Sequence, residues 1–141
     1  MIELIIQAIS IAIHGAFGEG YKIHANSIEQ GLEEPCFLIL LTNYTKEQLL
    51  GNRSIRRLPF DIHFFPSEGE AQCWEVADKL MNVLNIITTV DGEKFAGSDM
   101  NAEIVDGVLH FIVNFNFIAS VSDVAMDKME EISVASIKTE G

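Results

Sequence analysis

The first fifteen residues are mostly apolar, and their few polar members recur at the spacing of one helical face. These polar positions are separated by four, three and four residues, which places them on one side of an α-helix. They are Glu3, Gln7, Ser10 and His14. We therefore predict an amphipathic helix with a wide buried surface. Gly15 is its predicted end, because glycine is common just after a helix C-terminus.

A second helix is predicted after Pro66, where Ser67 is a suitable N-cap. Glu68 and Glu70 would lie in its first turn, near the positive end of the helix dipole. The apolar residues that follow recur at the spacing of an amphipathic helix. They are Cys73, Val76, Ala77, Leu80, Leu84 and Ile87. Trp74, the single tryptophan, adjoins this stripe. We predict that it packs in the core or between the helix and a sheet, and the alternative is an anchor for a binding partner.

Strands are predicted in the segments between the helices. Residues 21–25 are predicted to form a short strand. Residues 36–41 are apolar at every position, which is typical of a central strand covered on both faces. In residues 60–65 the odd and even positions differ in polarity, so a further strand is predicted there. Pro59 lacks a backbone N–H and therefore marks the start of this strand, a bulge or an edge.

The best-defined element is a β-hairpin whose two-residue turn is Asp106-Gly107, a pair that suits a type I′ turn. This turn fixes which residues face each other. One face pairs Ile104 with Leu109, Ala102 with Phe111 and Met100 with Val113. The other face pairs Glu103 with His110, Asn101 with Ile112 and Asp99 with Asn114. The first face is entirely apolar, so the pattern and the turn support the same register.

The chain between residues 36 and 65 is longer and more polar than a hairpin that only closes a core requires. We predict that residues 44–58 form a long β-hairpin that projects from the body and contacts another protein. Three of the nine basic residues, Arg53, Arg56 and Arg57, form a cluster within five of its positions, in a chain that is otherwise acidic. The predicted contact residues are Tyr44, Leu49, Asn52, Arg53, Arg56 and Arg57. The alternative is a solvated hairpin tip without a partner.

Length and charge limit the classes of function. A chain of 141 residues with 48% apolar side chains is expected to form one domain with an ample core. A net charge of −12 repels phosphate backbones, so specific nucleic-acid binding is not expected, although an acidic passage would let DNA slide through. The apolar N-terminus is too short to span a bilayer and lacks the features of a signal peptide. Cys36 and Cys73 are predicted to be small buried hydrophobic residues in a reduced, cytosolic setting.

Sequence motifs of catalysis are absent: there is no nucleophile elbow, zinc-protease helix, phosphate loop or dinucleotide site. The best candidates for a metal site or for acid–base chemistry are Asp61, His63, Glu103 and His110. These residues share one sheet face if the two hairpins are neighbours. A metal site or an acid–base pair is one interpretation. We favour an exposed face with cross-strand ion pairs. No catalytic residue, no metal site and no cofactor is predicted.

These elements together predict an α+β fold. It consists of an antiparallel or mixed β-sheet of about four to five strands, two main helices packed on it and the long projecting β-hairpin. Residues 1–120 are predicted to form a single domain. Residues 121–141 are acidic and have few large hydrophobic side chains, so we predict a C-terminal arm that is partly helical or is ordered by a partner.

Five segments carry a resemblance to a known family. They are Ile28–Gly31, Glu34–Phe37, Gly51–Arg53, Phe60–Pro66 and Glu103–Phe111. With these segments in this order, residues 1–120 resemble the phage tail terminator family of Gram-positive phages and related phage-tail-like particles. The last twenty residues carry no such resemblance.

The resemblance implies a structural virion protein that forms a hexameric ring on the tail tube, stops its polymerisation and provides the head-proximal junction. The implied partners are further copies of the chain, the tail tube protein, and the sheath and head-completion or connector proteins. The implied location is a virion or a headless bacteriocin-like particle, assembled in the host bacterial cytoplasm. Two alternatives stay open: a head–tail connector or stopper, and a small metal-dependent enzyme that uses His63 and His110.

Overall fold

The computed structural model describes residues 1–27 and 33–121. Two α-helices and seven β-strands lie within these ranges. In chain order they are α1 (Ile2–Phe17), β1 (Lys22–Ala25), β2 (Cys36–Leu41), β3 (Thr45–Gln48), β4 (Arg53–Phe65), α2 (Glu70–Val83), β5 (Ile86–Thr88), β6 (Lys94–Val105) and β7 (Val108–Ser120). The predicted C-terminal arm lies outside the described residues, apart from Val121.

The strands form one curled, mixed sheet in the order β1-β2-β4-β7-β6-β5, and β3 pairs with β4 outside this path. β1 is parallel to β2, and every other described pair is antiparallel. The predicted α+β class is confirmed, but four to five strands are too few for the seven that the described residues contain. β3 has four residues, all exposed, and lies within the predicted hairpin of residues 44–58, whereas β5, with three residues, was not predicted. Such short strands show no usable alternation.

One face of the sheet is buried under the two helices. In β7 every second residue from Leu109 to Ala119 is buried, and in β4 the same holds from Leu58 to Phe64. α1 and α2 contribute their apolar faces to the same core. Burial of each Leu, Ile or Phe side chain contributes about 1.5–3 kcal/mol. The opposite face carries the half-buried residues of both strands.

The first helix continues two residues beyond its predicted end at Gly15 and stops at Phe17. The chain leaves the helix at Gly18, whose N–H donates to the carbonyl of His14 at 2.9 Å and closes the last turn. Neither helix within the described ranges has the length and apolar character that crossing a membrane requires.

The second helix begins at Glu70, and Ser67 is not its N-cap, contrary to the prediction. Gln72 accounts for the difference, because its side-chain oxygen accepts the N–H groups of Ser67 and Glu68 at 2.9 and 2.8 Å. Gln72 occupies the third helical position, from which a side chain reaches back past the helix start. A side chain inside the helix therefore satisfies the N–H groups before it.

The predicted apolar stripe is buried, but it does not lie on one helix throughout. α2 ends at Val83, so Leu84 follows the helix and Ile87 lies in β5. Trp74 is 51% exposed, and the prediction that it packs between helix and sheet is wrong. Its position, one residue after buried Cys73, is off the helical stripe that faces the sheet.

The β6–β7 hairpin has the predicted register from the turn as far as the pair Asn101 and Ile112. A bulge between Ser98 and Asn101 then shifts the pairing by one residue. Ser98 therefore pairs with Asn114 in place of Asp99, and the two predicted pairs farthest from the turn are wrong. An extra residue in one strand is what a β-bulge inserts, and it cannot be read from alternation alone.

Pro59 lies inside β4 and is not the start of the strand. On one side of β4 the partner changes here from β2, which ends at Leu41, to β3, which starts at Thr45. The Pro59 carbonyl accepts the N–H and the hydroxyl of Thr42 at 3.0 and 3.1 Å. The N–H and carbonyl of an antiparallel-strand residue face the same neighbour. The backbone nitrogen of Pro59 therefore faces the gap between β2 and β3, where no partner strand requires an N–H group.

Cys36 and Cys73 are buried and free, as predicted. Burial raises the pKa of both thiols, and the negative charges of Glu34 and Glu70 raise the pKa of Cys36 and Cys73 further. The folded state thus favours the neutral thiols. At a pH below the pKa of a free cysteine, the neutral thiols contribute fully to the stability of the folded state. This contribution is lost as the pH rises through the raised pKa of the folded state.

We expect neither thiol to react with a disulfide-exchange reagent at pH 8 within minutes in the native protein, because the thiolate is the reactive species. In denaturant both cysteines of the chain should react at once. The absorbance of the released chromophore measures both rates. Fast reaction of either thiol in the native state would contradict the burial described above.

Candidate contact surface and histidine cluster

The segment predicted as a projecting arm is a corner of the sheet. β3 pairs with β4 across a short turn, but β4 pairs with β7 on its other side from Arg53 to Phe64. The turn between β3 and β4 is therefore supported from the side and does not stand free. The prediction of a long projecting hairpin is not confirmed. We call residues 44–57 the sheet corner.

The turn of the sheet corner is held by Gln48. Its side-chain amide donates to the carbonyls of Gly51 and Arg53 at 3.3 and 3.0 Å, and the Leu49 N–H donates to the Arg53 carbonyl at 2.8 Å. Leu49, a predicted contact residue, is half-buried. Leu50 is 89% exposed and is the apolar side chain that this turn offers to a partner. Nothing in the sequence pattern distinguishes these two leucines.

Asn52, another predicted contact residue, joins the sheet corner to the end of β7. Its side-chain Nδ2 donates to the Val121 carbonyl, and its own carbonyl accepts the Val121 N–H at 3.1 Å. These bonds fasten the last described residue to the turn. The position of Asn52 is thus explained by the fold, and a role in contact with a partner stays a prediction.

The three arginines of the sheet corner do not form one patch. Side chains alternate along a strand, so Arg53 and Arg57 lie on one face of the sheet and Arg56 lies on the other. Arg57 forms an ion pair with Glu47 at 2.9 Å. Arg56 donates to the hydroxyl of Tyr44 at 2.7 Å and lies 6.0 Å from the centre of its ring. The exposed Arg53 side chain has no hydrogen bond or ion pair within the described residues.

A groove of about 260 Å³ lies beside Arg56, on the face of the sheet that carries the helices. It is lined by Lys46, Gln48, Asn52, Ser54, Arg56, Ala119, Ser120 and Val121. None of these residues belongs to a helix. Lys46 and Arg56 give the groove a positive charge in a negatively charged chain. Lys46, which was not among the predicted contact residues, joins the site because it lies in β3 and pairs with Arg56 of β4.

On the opposite face of the sheet, Asp61, His63 and His110 form a cluster. His63 and His110 are paired across β4 and β7, and their ring centroids are 4.1 Å apart. Asp61 Oδ2 lies 3.2 Å from His63 Nε2 and 3.5 Å from His110 Nδ1. Glu103 pairs with His110 across β6 and β7, but its exposed side chain is not part of the cluster. The structure therefore brings together three of the four residues named from the sequence.

The cluster is more buried than the exposed face that we favoured from the sequence. The side chains of Asp61, His63 and His110 are only 19%, 18% and 29% exposed. Asp61 Oδ1 is buried and has no hydrogen-bond partner within the described residues. An alternating sequence pattern cannot report this degree of burial.

Comparison with known proteins gives a family for this fold. Residues 4–127 match the family model of phage tail terminator proteins, a range that includes the sheet corner and the histidine cluster. No curated protein matches the chain. A solved structure of a protein whose name states no function is similar at 7% identity, with a TM-score of 0.40, over 79% of this chain and 92% of the other. That likeness is too low to carry an argument. Because the family model covers most of its length, the chain belongs to the phage tail terminator family and is a structural component of a phage tail.

Proposed function

We propose that copies of this chain form a hexameric ring on the end of the tail tube, stop its polymerisation and provide the head-proximal junction. Membership of the family supplies the role in the tail. Termination requires a lower face that fits the tube and an upper face on which no tube subunit can add. A closed ring of identical subunits offers two such different faces.

The observation that carries this proposal is the sheet corner. It combines the exposed side chain of Leu50, Arg53 without a partner in the described residues, and the basic groove. These features favour contact with another protein and are not needed for the core.

Charge favours contact between copies of the chain through this corner. A net charge of −12 makes copies repel each other unless a contact reverses the sign locally. The outer side of α2 offers a complementary surface, since Trp74 and Met81 are exposed there and Glu75 and Asp78 are acidic and exposed. We propose that the corner of one subunit, with Leu50 at its tip, docks on α2 of the next.

The protein is proposed to work by contact and without catalysis or a substrate. Its proposed partners are neighbouring copies in the ring, the tail tube protein on one side, and sheath or head-completion proteins on the other. An acidic lumen would repel the phosphates of DNA and let it pass without binding. Residues 1–120 are proposed to form the ring domain.

Charge reversal of the sheet corner tests the proposal. We expect the variant Arg53→Glu/Arg56→Glu/Arg57→Glu to weaken each contact between subunits at least about tenfold, because close charge pairs across interfaces contribute 1.5 kcal/mol or more. Light scattering after gel filtration measures the oligomer, and electron microscopy of assembled particles measures tail length. Loss of the ring with overlong tubes is the expected result.

A matched pair of variants separates contact from total charge. Arg53→Glu/Arg57→Glu should impair ring assembly, whereas Lys22→Glu/Lys94→Glu, which changes the net charge equally on exposed residues elsewhere, should not. Addition of Glu75→Lys to the Arg53→Glu/Arg57→Glu variant should partly restore ring assembly. Unchanged rings and tail lengths in the arginine variants would refute the proposal. Tails of normal length that lack heads would instead favour a head–tail connector or stopper.

A further inference from the structure

We propose that Asp61, His63 and His110 together bind one divalent transition-metal ion, with Zn²⁺ as the best fit. This inference concerns the face of the sheet opposite to the helices, and it is independent of the ring proposed above. It also replaces the interpretation of these residues as simple cross-strand ion pairs.

The distances from the Asp61 carboxylate to the two imidazoles are close to those of a tetrahedral zinc site. Zinc binds histidine nitrogen and carboxylate oxygen at about 2.0–2.2 Å, so two ligand atoms of a tetrahedral site are about 3.3–3.6 Å apart. Asp61 Oδ2 lies 3.2 Å from His63 Nε2 and 3.5 Å from His110 Nδ1. One ligand atom from each of the three residues lies within 4.8 Å of the others. Small rotations of the side chains suffice to close the site around an ion.

Hydrogen bonds within the cluster leave its carboxylate incompletely satisfied. A separation of 3.5 Å between His110 Nδ1 and Asp61 Oδ2 is long for a hydrogen bond. Asp61 Oδ1 is buried and has no partner in the part of the chain that the structure describes. Leaving a buried polar atom without a partner is destabilising. A bound cation would neutralise this carboxylate and give its free oxygen an electrostatic partner.

Apolar residues surround the cluster and lower the local dielectric. On one side Leu38 pairs with His63 and Leu40 pairs with Asp61, and on the other side Ile112 pairs with Asp61. All three apolar side chains are half-buried. A hydrophobic shell that limits access of water is typical around metal sites and strengthens the attraction between the ion and its ligands.

Two imidazoles and one carboxylate select the ion. Nitrogen ligands suit zinc and its neighbours in the first transition row, whereas Ca²⁺ and Mg²⁺ prefer sites made of oxygen alone. Three protein ligands leave the fourth tetrahedral position to a water molecule. The ion would bridge β4 and β7, the two longest strands of the described residues, and fasten them to each other on the face opposite to α1 and α2.

Direct titration of the tag-free full-length protein tests the site. After chelator treatment, Zn²⁺ is added in competition with a chromophoric chelator, and Ca²⁺ is added in a parallel experiment. We expect one Zn²⁺ per chain, no Ca²⁺ binding, and a Tm that rises with the Zn²⁺ concentration. Asp61→Asn, His63→Gln and His110→Gln should each lower the affinity more than about 100-fold, because changes outside the ligands already lower it 10–100-fold.

The exposed His14 provides the control, and His14→Gln should bind Zn²⁺ as the unchanged chain does. If a cluster variant does not fold, NMR of the unchanged chain still tests the site. In nitrogen NMR spectra of the imidazoles, Zn²⁺ should shift the signals of His63 and His110 and leave those of His14 in place. Absence of Zn²⁺ binding, or binding that persists in His63→Gln and His110→Gln, would overturn the proposal.

Discussion

The variant Phe37→Ala is expected to lose about 3–5 kcal/mol of unfolding free energy, the usual range for a buried phenylalanine. Phe37 is fully buried in β2, and its ring lies 5.1 Å from that of Phe17, 5.9 Å from that of Tyr21 and 4.9 Å from that of Phe64. Truncation removes the central member of this aromatic group, which joins α1 to the sheet. The cavity that remains lies between α1, β2 and β4. We expect these elements to fill it only partly, so most of the lost stability is not recovered.

Urea denaturation followed by circular dichroism measures this loss. Domains of this kind have a total stability of about 5–15 kcal/mol, so the variant should unfold at a much lower urea concentration and a Tm at least about 10 °C lower. Phe65→Ala is the matched control, because Phe65 is half-buried on the opposite face of the sheet. An equal loss in both variants would contradict the assignment of Phe37 to the core.

The second large effect is expected at Gly97 in β6. A Cβ atom there would lie 2.3 Å from the backbone oxygen of Leu84 and 3.0 Å from Val113 Cγ2. The Gly97 N–H also donates to the carbonyl of Asn85 at 2.9 Å, which holds the strand against the end of α2. Gly97→Ala should therefore destabilise the protein by about 3 kcal/mol, the upper part of the range for overpacking.

Gly20→Ala provides the control for this prediction, since a Cβ atom at Gly20 would have no neighbour within 4 Å. Both variants are compared by thermal unfolding, and only Gly97→Ala should show a clear drop in Tm. If Gly97→Ala were as stable as the unchanged chain, the close approach of β6 to the end of α2 would be incorrect.

Local patterns predicted the elements in which two signals agree. Alternation and the Asp106-Gly107 turn both indicate the β6–β7 hairpin, and its register near the turn is correct. β3 and β5 lack such signals, because they are short and their conformation follows from pairing with β4 and β6. The bulge beside Asn101 likewise leaves no mark in the alternation of residues.

In the candidate sites, too, the sequence predicted the local features but not those that depend on strand pairing. The sequence indicated which residues carry charge at the sheet corner, but Arg56 lies on the face opposite to Arg53 and Arg57 because strand geometry separates them. His63 and His110 could be named from the sequence. Their distance could not, because it depends on the pairing of β4 with β7, which lie far apart in the chain. The partial burial of both side chains also has no local signature.

The position of β7 affects how the protein can be made. It is the last strand of the described chain, yet it lies between β4 and β6 near the middle of the sheet. While the ribosome is still synthesising residues 108–120, β4 has one long unpaired side and the core is open. Folding of the sheet can therefore finish only after residues 108–120 have left the ribosome. Truncated products would expose a 13-residue strand to aggregation, and quality control would remove them before they could join a particle.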